Sequence, residues 1–258
     1  MSELSTSTST TTNTSPSKVT APELSICFST FGQPVMLKRW FDAFLNEPEE
    51  YRNRCEVVCV DDCGDPAAEV PDLPNVRLYR VTDNLPWNQP GARNLAVQQA
   101  SSRVVLLCDV DMTIPPGMLR KFVAEAAQHQ PKIVIRPHLV HSKSGKKDFS
   151  SPNVHLMRKA DFLAIGGYSE EYVGYKGYSD VTLLHIIKLL LKPRDSEMLS
   201  MVLHHDSDIP DAQVRTLNRG VARNKTVHLK HMDIIRKVGP KAFARANKRI
   251  RFQWKQIR

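Results

Sequence analysis

Asp109 and Asp111 stand where a chain of this kind does chemistry. In "SSRVVLLCDVDMTIPPG" they follow the apolar run Val104 to Cys108 and are separated by one valine. A continuous aliphatic run reads as a strand buried on both faces. Ligands of open α/β sheets bind beyond the carboxyl ends of such strands. Two acids there repel each other unless a cation or a proton shares the site. The same pair would also suit a solvated turn with helix-capping acids. Asp61 and Asp62 end a second run, "CEVVCVDD", and His204, His205 and Asp206 end a third, "MLSMVLHHDSD".

These residues need a scaffold, and the chain supplies one in order. "LSICFSTFG" (Leu24 to Gly32) reads as a buried strand, and "PVMLKRWFDAFLN" as a helix with Pro34 in its first turn. A strand from Val76 to Asp83, a helix opening at "PGARNLAVQQASS" and the Asp109 strand follow. Then come a helix over "PPGMLRKFVAEAAQHQ" and a strand over "KIVIRPHLVHS". This alternation predicts an α/β fold, a mostly parallel sheet flanked by helices. Three successive strands end in polar or acidic residues, which would line one edge of the sheet as a ligand crevice. The second half is less regular. Ser142 to Asn153 reads as a loop, "SDVTLLHIIKLLLK" as a helix that Ser179 or Asp180 can cap, and the segment from Gln213 is helix-compatible.

Composition divides the chain further. With 258 residues and 41% hydrophobic content a sizeable core is available. No run of about eighteen apolar residues marks a membrane span. Residues 1–20 are low-complexity Ser/Thr without a signal-peptide pattern and are expected to be a disordered tail, with a body over 21–213. Five cysteines, an odd number, suit reduced thiols and a cytoplasmic location. Cys55, Cys59 and Cys63 are regularly spaced, but Cys59 lies inside an apolar run and reads as core, not as a metal ligand. From Val214 onward, 14 lysines and arginines face a single acid, Asp233, a net +13 in a chain of net +9. The body is therefore mildly acidic, and 214–258 is expected to be a basic helical extension that meets a partner.

Four stretches then acquire a family. "STFGQP", "VVCVDD", "PGARNLAVQQASSRVVLLCDVD" and "GGYSEEYVGYKGYSD", in that order, resemble the nucleotide-sugar glycosyltransferases of the GT-A (Rossmann-like) fold, nearest to glycosyltransferase family 2. The C-terminal part is similar to the galactosyltransferase group. The resemblance implies a Mn2+ or Mg2+ ion bridging protein carboxylates and the donor diphosphate, a role that hard oxygen ligands suit. Asp111 becomes the direct metal ligand, with Asp109 toward the ribose or the metal. Asp61 or Asp62 would hold the nucleobase and ribose, although Asp62 could equally cap a turn. Thr30 and Phe31 fall where the family's backbone meets the base. Arg93 would pair with the diphosphate or sit as a surface arginine on its helix. Trp87, beside Asn88, would be a wall of the sugar pocket or a packing anchor.

The resemblance also implies an inverting mechanism with an aspartate base after a glycine-rich loop. Here that is Asp180, which could instead only cap its helix; Ser179 stands where relatives carry glutamate. Glu171 and Glu170 are the alternative bases or sugar-hydroxyl ligands. A late histidine completes the metal shell in many relatives. Neighbouring strand residues point to opposite faces, so one of His204 and His205 should reach the ion, with His205 preferred.

The expected activity is thus metal-dependent, inverting transfer of a sugar from a nucleotide sugar, UDP-linked, to a hydroxyl acceptor. The basic segment, with Phe252 and Trp254 among its charges, suits a phosphate backbone. In this it resembles compact phage transferases that glycosylate hydroxymethylated bases in DNA, which would place it in the host cytoplasm. The competing readings are transfer to a small saccharide or lipid-linked acceptor, and a nucleic-acid-binding protein on a non-catalytic transferase fold. A nucleotidyltransferase would need a Gly-rich triphosphate loop after the first strand, and none is present.

Overall fold

The apolar runs that precede the acids all form strands of a single sheet. The computed structural model describes residues 21–149, 151–204, 221–247 and 249–258. Ten strands make one sheet: β1 (Leu24–Thr30), β2 (Cys55–Asp61), β3 (Val76–Val81), β4 (Val104–Leu107), β5 (Met112–Thr113), β6 (Ile133–His141), β7 (Lys147–Asp148), β8 (His155–Arg158), β9 (Lys192–Leu203) and β10 (Trp254–Gln256). Eight helices are described: α1 (Pro34–Leu45), α2 (Glu49–Arg52), α3 (Gln89–Gln99), α4 (Met118–Gln128), α5 (Lys159–Ala164), α6 (Ser179–Leu190), α7 (Ala222–Val238) and α8 (Pro240–Ala246). A 3-10 turn spans Glu170–Tyr172.

The sheet runs β10-β3-β2-β1-β4-β8-β6-β9-β5, with β7 added to β6. The expected parallel core is β3-β2-β1-β4, and it puts Thr30 opposite Asp61 at the carboxyl edge. Beyond β4 the sheet is mixed: β8 is antiparallel to both β4 and β6, and β9 is parallel to β6. Strands joined by a tight turn pair antiparallel, because a parallel return needs a crossover. That is why part of the expected loop after Ser142 forms β7 instead, folded back on β6. β9 also starts earlier than expected, at Lys192. Pro193 cannot continue helix α6, and the chain passes straight into register with β6.

Alternate strand residues feed two cores. Ile26, Phe28, Val57, Cys59 and Leu106 pack with Trp40, Phe41 and Phe44 of α1 and Phe122 of α4. Cys27, Val58, Val60, Val105 and Leu107 pack on the other face with α3, α6 and Phe243 of α8. This two-sided burial accounts for continuous, non-alternating strand sequences.

The basic segment after Val214 is built into the body where it is described. Helix α7 is helical as expected, but the chain ends in a strand, β10, antiparallel to β3. Phe252 is 6% exposed in the α3-side core. A Cβ on Gly91 of α3 would lie 2.5 Å from the Phe252 ring, so α3 begins with a glycine where the ring crosses it. Deleting a buried aromatic ring leaves a cavity as well as losing its burial. Phe252→Ala is expected to lower the free energy of unfolding by about 3 kcal/mol, read from chemical denaturation.

Candidate active site

The carboxyl edge of the parallel core opens into a cleft. Ser29, Thr30 and Phe31 come from the end of β1, Asp62 from just beyond β2, and Asp109, Val110 and Asp111 from the segment after β4. Trp87 and Gln89 come from the approach to α3, and Lys176, Gly177 and Asp180 from the approach to α6. Sequence-expected residues from four separate segments therefore share one cavity. Four of its lining side chains are carboxylates, Asp62, Asp109, Asp111 and Asp180, and among the described lining residues Lys176 is the only cation.

Arg93 lies behind this wall, not on it. Its side chain is 1% exposed and forms ion pairs with Asp109 and, at 2.6 Å, with Asp180. Its Nη1 also donates to the Tyr168 hydroxyl at 3.0 Å, and the guanidinium lies 5.4 Å from that ring's centroid. One buried charge thus ties the acid after β4 to the acid opening α6. The surface-arginine reading fails, and the guanidinium is engaged by protein carboxylates. Asp109 is further held by Gln89 Nε2 at 3.1 Å and Asn153 Nδ2 at 3.0 Å. Neither residue stood out in the sequence, because a lone glutamine and asparagine mark nothing without a partner.

The next residue on α3, Asn94, explains the glycines downstream. Its amide accepts from Tyr168 N and donates to the Tyr168 carbonyl, both at 2.9 Å, and donates to Glu170 at 3.0 Å. Gly167 has φ +61°, and a Cβ there would lie 2.6 Å from Asn94 Oδ1. Only glycine lets the loop approach so closely. The chain then rises through Gly174 and Gly177, both at φ +100°, to Tyr178, a non-glycine residue at φ +66°. This left-handed residue is the N-cap of α6 and turns Asp180 into the first helical turn. Its ring rests on His228 of α7, at 5.3 Å between centroids, which holds the strained backbone in place.

The two acids at the end of β2, Asp61 and Asp62, separate cleanly. Asp61 accepts from Gly64 N at 2.8 Å and Ala68 N at 3.1 Å and pairs with Arg80, so it pins the following loop and does not line the cleft. Asp62 lines the cleft, accepts from Asn88 N at 3.0 Å, and buries its Oδ1 without a hydrogen bond among the described residues. Thr30 Oγ1 beside it is likewise buried and unpaired. Burial pushes the Asp62 carboxyl up to about 7, with the Asp61 charge adding to the rise. A carboxyl that stays protonated more readily when folded contributes stability below its ordinary value of 3.8, and this is lost as pH rises through about 7. Asp62→Asn, in the ligand-free protein, is therefore expected to gain on wild type by about 3 kcal/mol between pH 5 and pH 8. Denaturation at the two pH values checks it.

The metal candidates divide in the same way. Asp111 lines the cleft, and its carbonyl accepts the His204 backbone N–H at 2.9 Å, because β5 and β9 pair at Met112 and Leu203. The His204 ring bonds Thr113 Oγ1 at 2.9 Å and approaches Arg39 at 3.4 Å. His205 lies outside the described residues. The donor set of carboxylate oxygen beside imidazole fits a divalent cation in kind. Among the described residues no three His, Cys, Asp or Glu side chains converge as a cage. Asp111, with Asp109 and His204 near it, would offer only part of a shell and leave room for ligand oxygens. The alternative acids are committed elsewhere. Glu170, 8% exposed, accepts from Ile250 N at 2.6 Å and Arg251 N at 3.1 Å, while Glu171 faces His231 at 3.4 Å and Lys230 at 3.9 Å. All five cysteines are free thiols, four of them buried.

A cleft at the carboxyl edge of a parallel α/β core is where open α/β sheets take their ligands. The model of glycosyl transferase family 2 matches residues 25–179, and the chain belongs to that family. Its fold is the GT-A fold of that family. Among solved structures, that of GalNAc-T7 with UDP, GalNAc and Mn2+ superposes with a TM-score of 0.53 at 12% identity. The match covers 72% of this chain and 44% of that one, so the chain spans less than half the length of that protein. No curated protein matches the sequence.

Proposed function

We propose that this cleft transfers a sugar from a nucleoside diphosphate sugar, UDP-linked, to a hydroxyl acceptor with inversion, in the presence of Mn2+ or Mg2+. The observation that carries the reading is the convergence of Asp109, Asp111 and Asp180 on one cavity that also holds Asp62 Oδ1 and Thr30 Oγ1, both buried without a hydrogen bond among the described residues. Asp111, with Asp109 and a histidine of the His204–His205 pair, would hold a divalent ion, whose chemistry would be charge neutralisation of the departing diphosphate. Asp62 and Thr30 offer polar atoms to the nucleoside, with Phe31 and Trp87 as walls. Arg93 fixes Asp109 and Asp180 relative to each other. Asp180 takes the acceptor hydroxyl proton as that oxygen attacks the anomeric carbon. The UDP and Mn2+ in GalNAc-T7 support the choice of donor and metal. The five free thiols support a reducing, cytoplasmic setting, and no helix among the described residues is long and apolar enough to cross a membrane.

For the acceptor, the exposed Lys225, Lys230, Arg236, Lys237, Lys241 and Arg245 support a polyanion, with a hydroxymethylated base in DNA as the specific proposal. These residues lie on helices that pack near α6, which carries Asp180. The test is transfer of labelled sugar from a UDP-sugar panel to hydroxymethylcytosine DNA at low and moderate salt. Wild type should label the DNA steeply less as salt rises, and Arg236→Glu/Lys237→Glu should weaken labelling without altering donor hydrolysis. Labelling of a saccharide or lipid acceptor alone would refute the DNA acceptor.

A further inference from the structure

We infer that Lys176 is a catalytic residue that grips the donor diphosphate and neutralises it as the sugar leaves; this rests on the reading of the cleft as a nucleotide-sugar site. Asp109, Asp111 and Asp180 against the single charge of Arg93 already take up one divalent ion, which leaves the diphosphate and the charge that develops on the leaving oxygen without an offset. Arg93 is not free to help, because it is buried against Asp109 and Asp180. That leaves Lys176, the only cation among the described lining residues.

Its surroundings suit an ammonium held ready. Lys176 makes no ion pair with any described residue, although carboxylates line the same cleft. Its Nζ lies instead 5.6 Å from the centre of the Trp87 ring. A partly solvated ammonium on an aromatic face gains about 1 kcal/mol, less than a charge-assisted bond to phosphate oxygen would give. The segment that carries it is anchored on both sides. Gly174 N bonds the Trp87 carbonyl at 3.1 Å, and Arg223 lies 5.0 Å from the centre of the Tyr175 ring. Gly174 and Gly177, both at φ +100°, bracket Lys176 with backbone conformations that glycine adopts without strain. The ammonium can therefore leave Trp87 for the diphosphate while the loop stays tethered.

In the step itself the acceptor oxygen bonds to the anomeric carbon and the bond from that carbon to the β-phosphate oxygen breaks. The phosphate oxygen keeps the electron pair, and the acceptor proton passes to Asp180. Lys176 would donate to the oxygen that gains the charge.

The test compares Lys176→Met and Lys176→Arg with wild type, as full-length chains with Mg2+. Three quantities are read: UDP affinity, uridine affinity and acceptor-free hydrolysis of a UDP-sugar. Lys176→Met should weaken UDP roughly tenfold, leave uridine within about twofold, and slow hydrolysis roughly a hundredfold. Lys176→Arg should restore most of both losses. Equal weakening of UDP and uridine would overturn the proposal, since it would place Lys176 on the nucleoside or in loop packing. Unchanged hydrolysis would overturn it too, leaving Lys176 to the acceptor. Wild-type protein that binds no UDP would overturn the donor-site reading and the proposal with it.

Discussion

Asp111→Asn is expected to reduce sugar transfer by at least about a thousandfold while leaving the fold intact. Asp111 lies in the turn between β4 and β5, and an asparagine keeps the backbone carbonyl that accepts from His204 N. The lost negative charge matters most when a divalent cation is bound. In thermal denaturation the variant should therefore lose the extra stabilisation that Mn2+ gives to UDP binding, which mass action makes visible in wild type. Its midpoint without ligand should match wild type within a few degrees. Full activity in the variant, or in wild type with excess chelator, would remove the metal from the account.

Asp180→Asn is the second large effect, and it should divide differently. Turnover should fall roughly 10²- to 10⁴-fold, the usual reach of a general base, while the donor KM stays close to that of wild type. Only proton removal in the transition state is impaired, so kcat carries the loss. The variant also weakens the bond from Arg93, now to an amide oxygen, at a cost of about 2 kcal/mol in stability. Asp109 still holds the guanidinium, so the protein should fold. A collapse of donor binding equal to the loss of turnover would make Asp180 a cap or a donor ligand. Neither Glu170 nor Glu171 is placed to replace it, since both are engaged outside the cleft.

Much of this site was legible because its positions are marked by contrast. An apolar run that stops at a carboxylate, as at Asp62, Asp109 and Asp111, is visible without any partner. Asp180 is visible because glycines gather before it, and those glycines turn out to hold φ values that other residues avoid. What the chain does not mark is where a side chain goes after the fold closes. Arg93 reads as one more polar residue on a helix, yet α3 carries it under the cleft, where two acids from distant segments meet it. Asp61 and Asp62 are indistinguishable as neighbours. Strand pleating turns one toward Arg80 and leaves the other on the cleft. Lys176 carried no signal at all, because its meaning comes from the acids around it. The final strand was hidden for another reason. Trp254 to Gln256 is too short and too polar to form alone and exists because the edge of β3 offers partners.

The central claim, as proposed, is that this cleft cleaves the bond between sugar and diphosphate, with Asp111 and Asp109 serving the metal and Asp180 the acceptor. The most direct measurement follows a UDP-α-sugar by 1H NMR with protein and Mg2+, water serving as acceptor. Release of UDP with the β-anomer appearing first, abolished by chelator and by Asp180→Asn, is the predicted result. Release of UMP with a sugar 1-phosphate, or first appearance of the α-anomer, would contradict it.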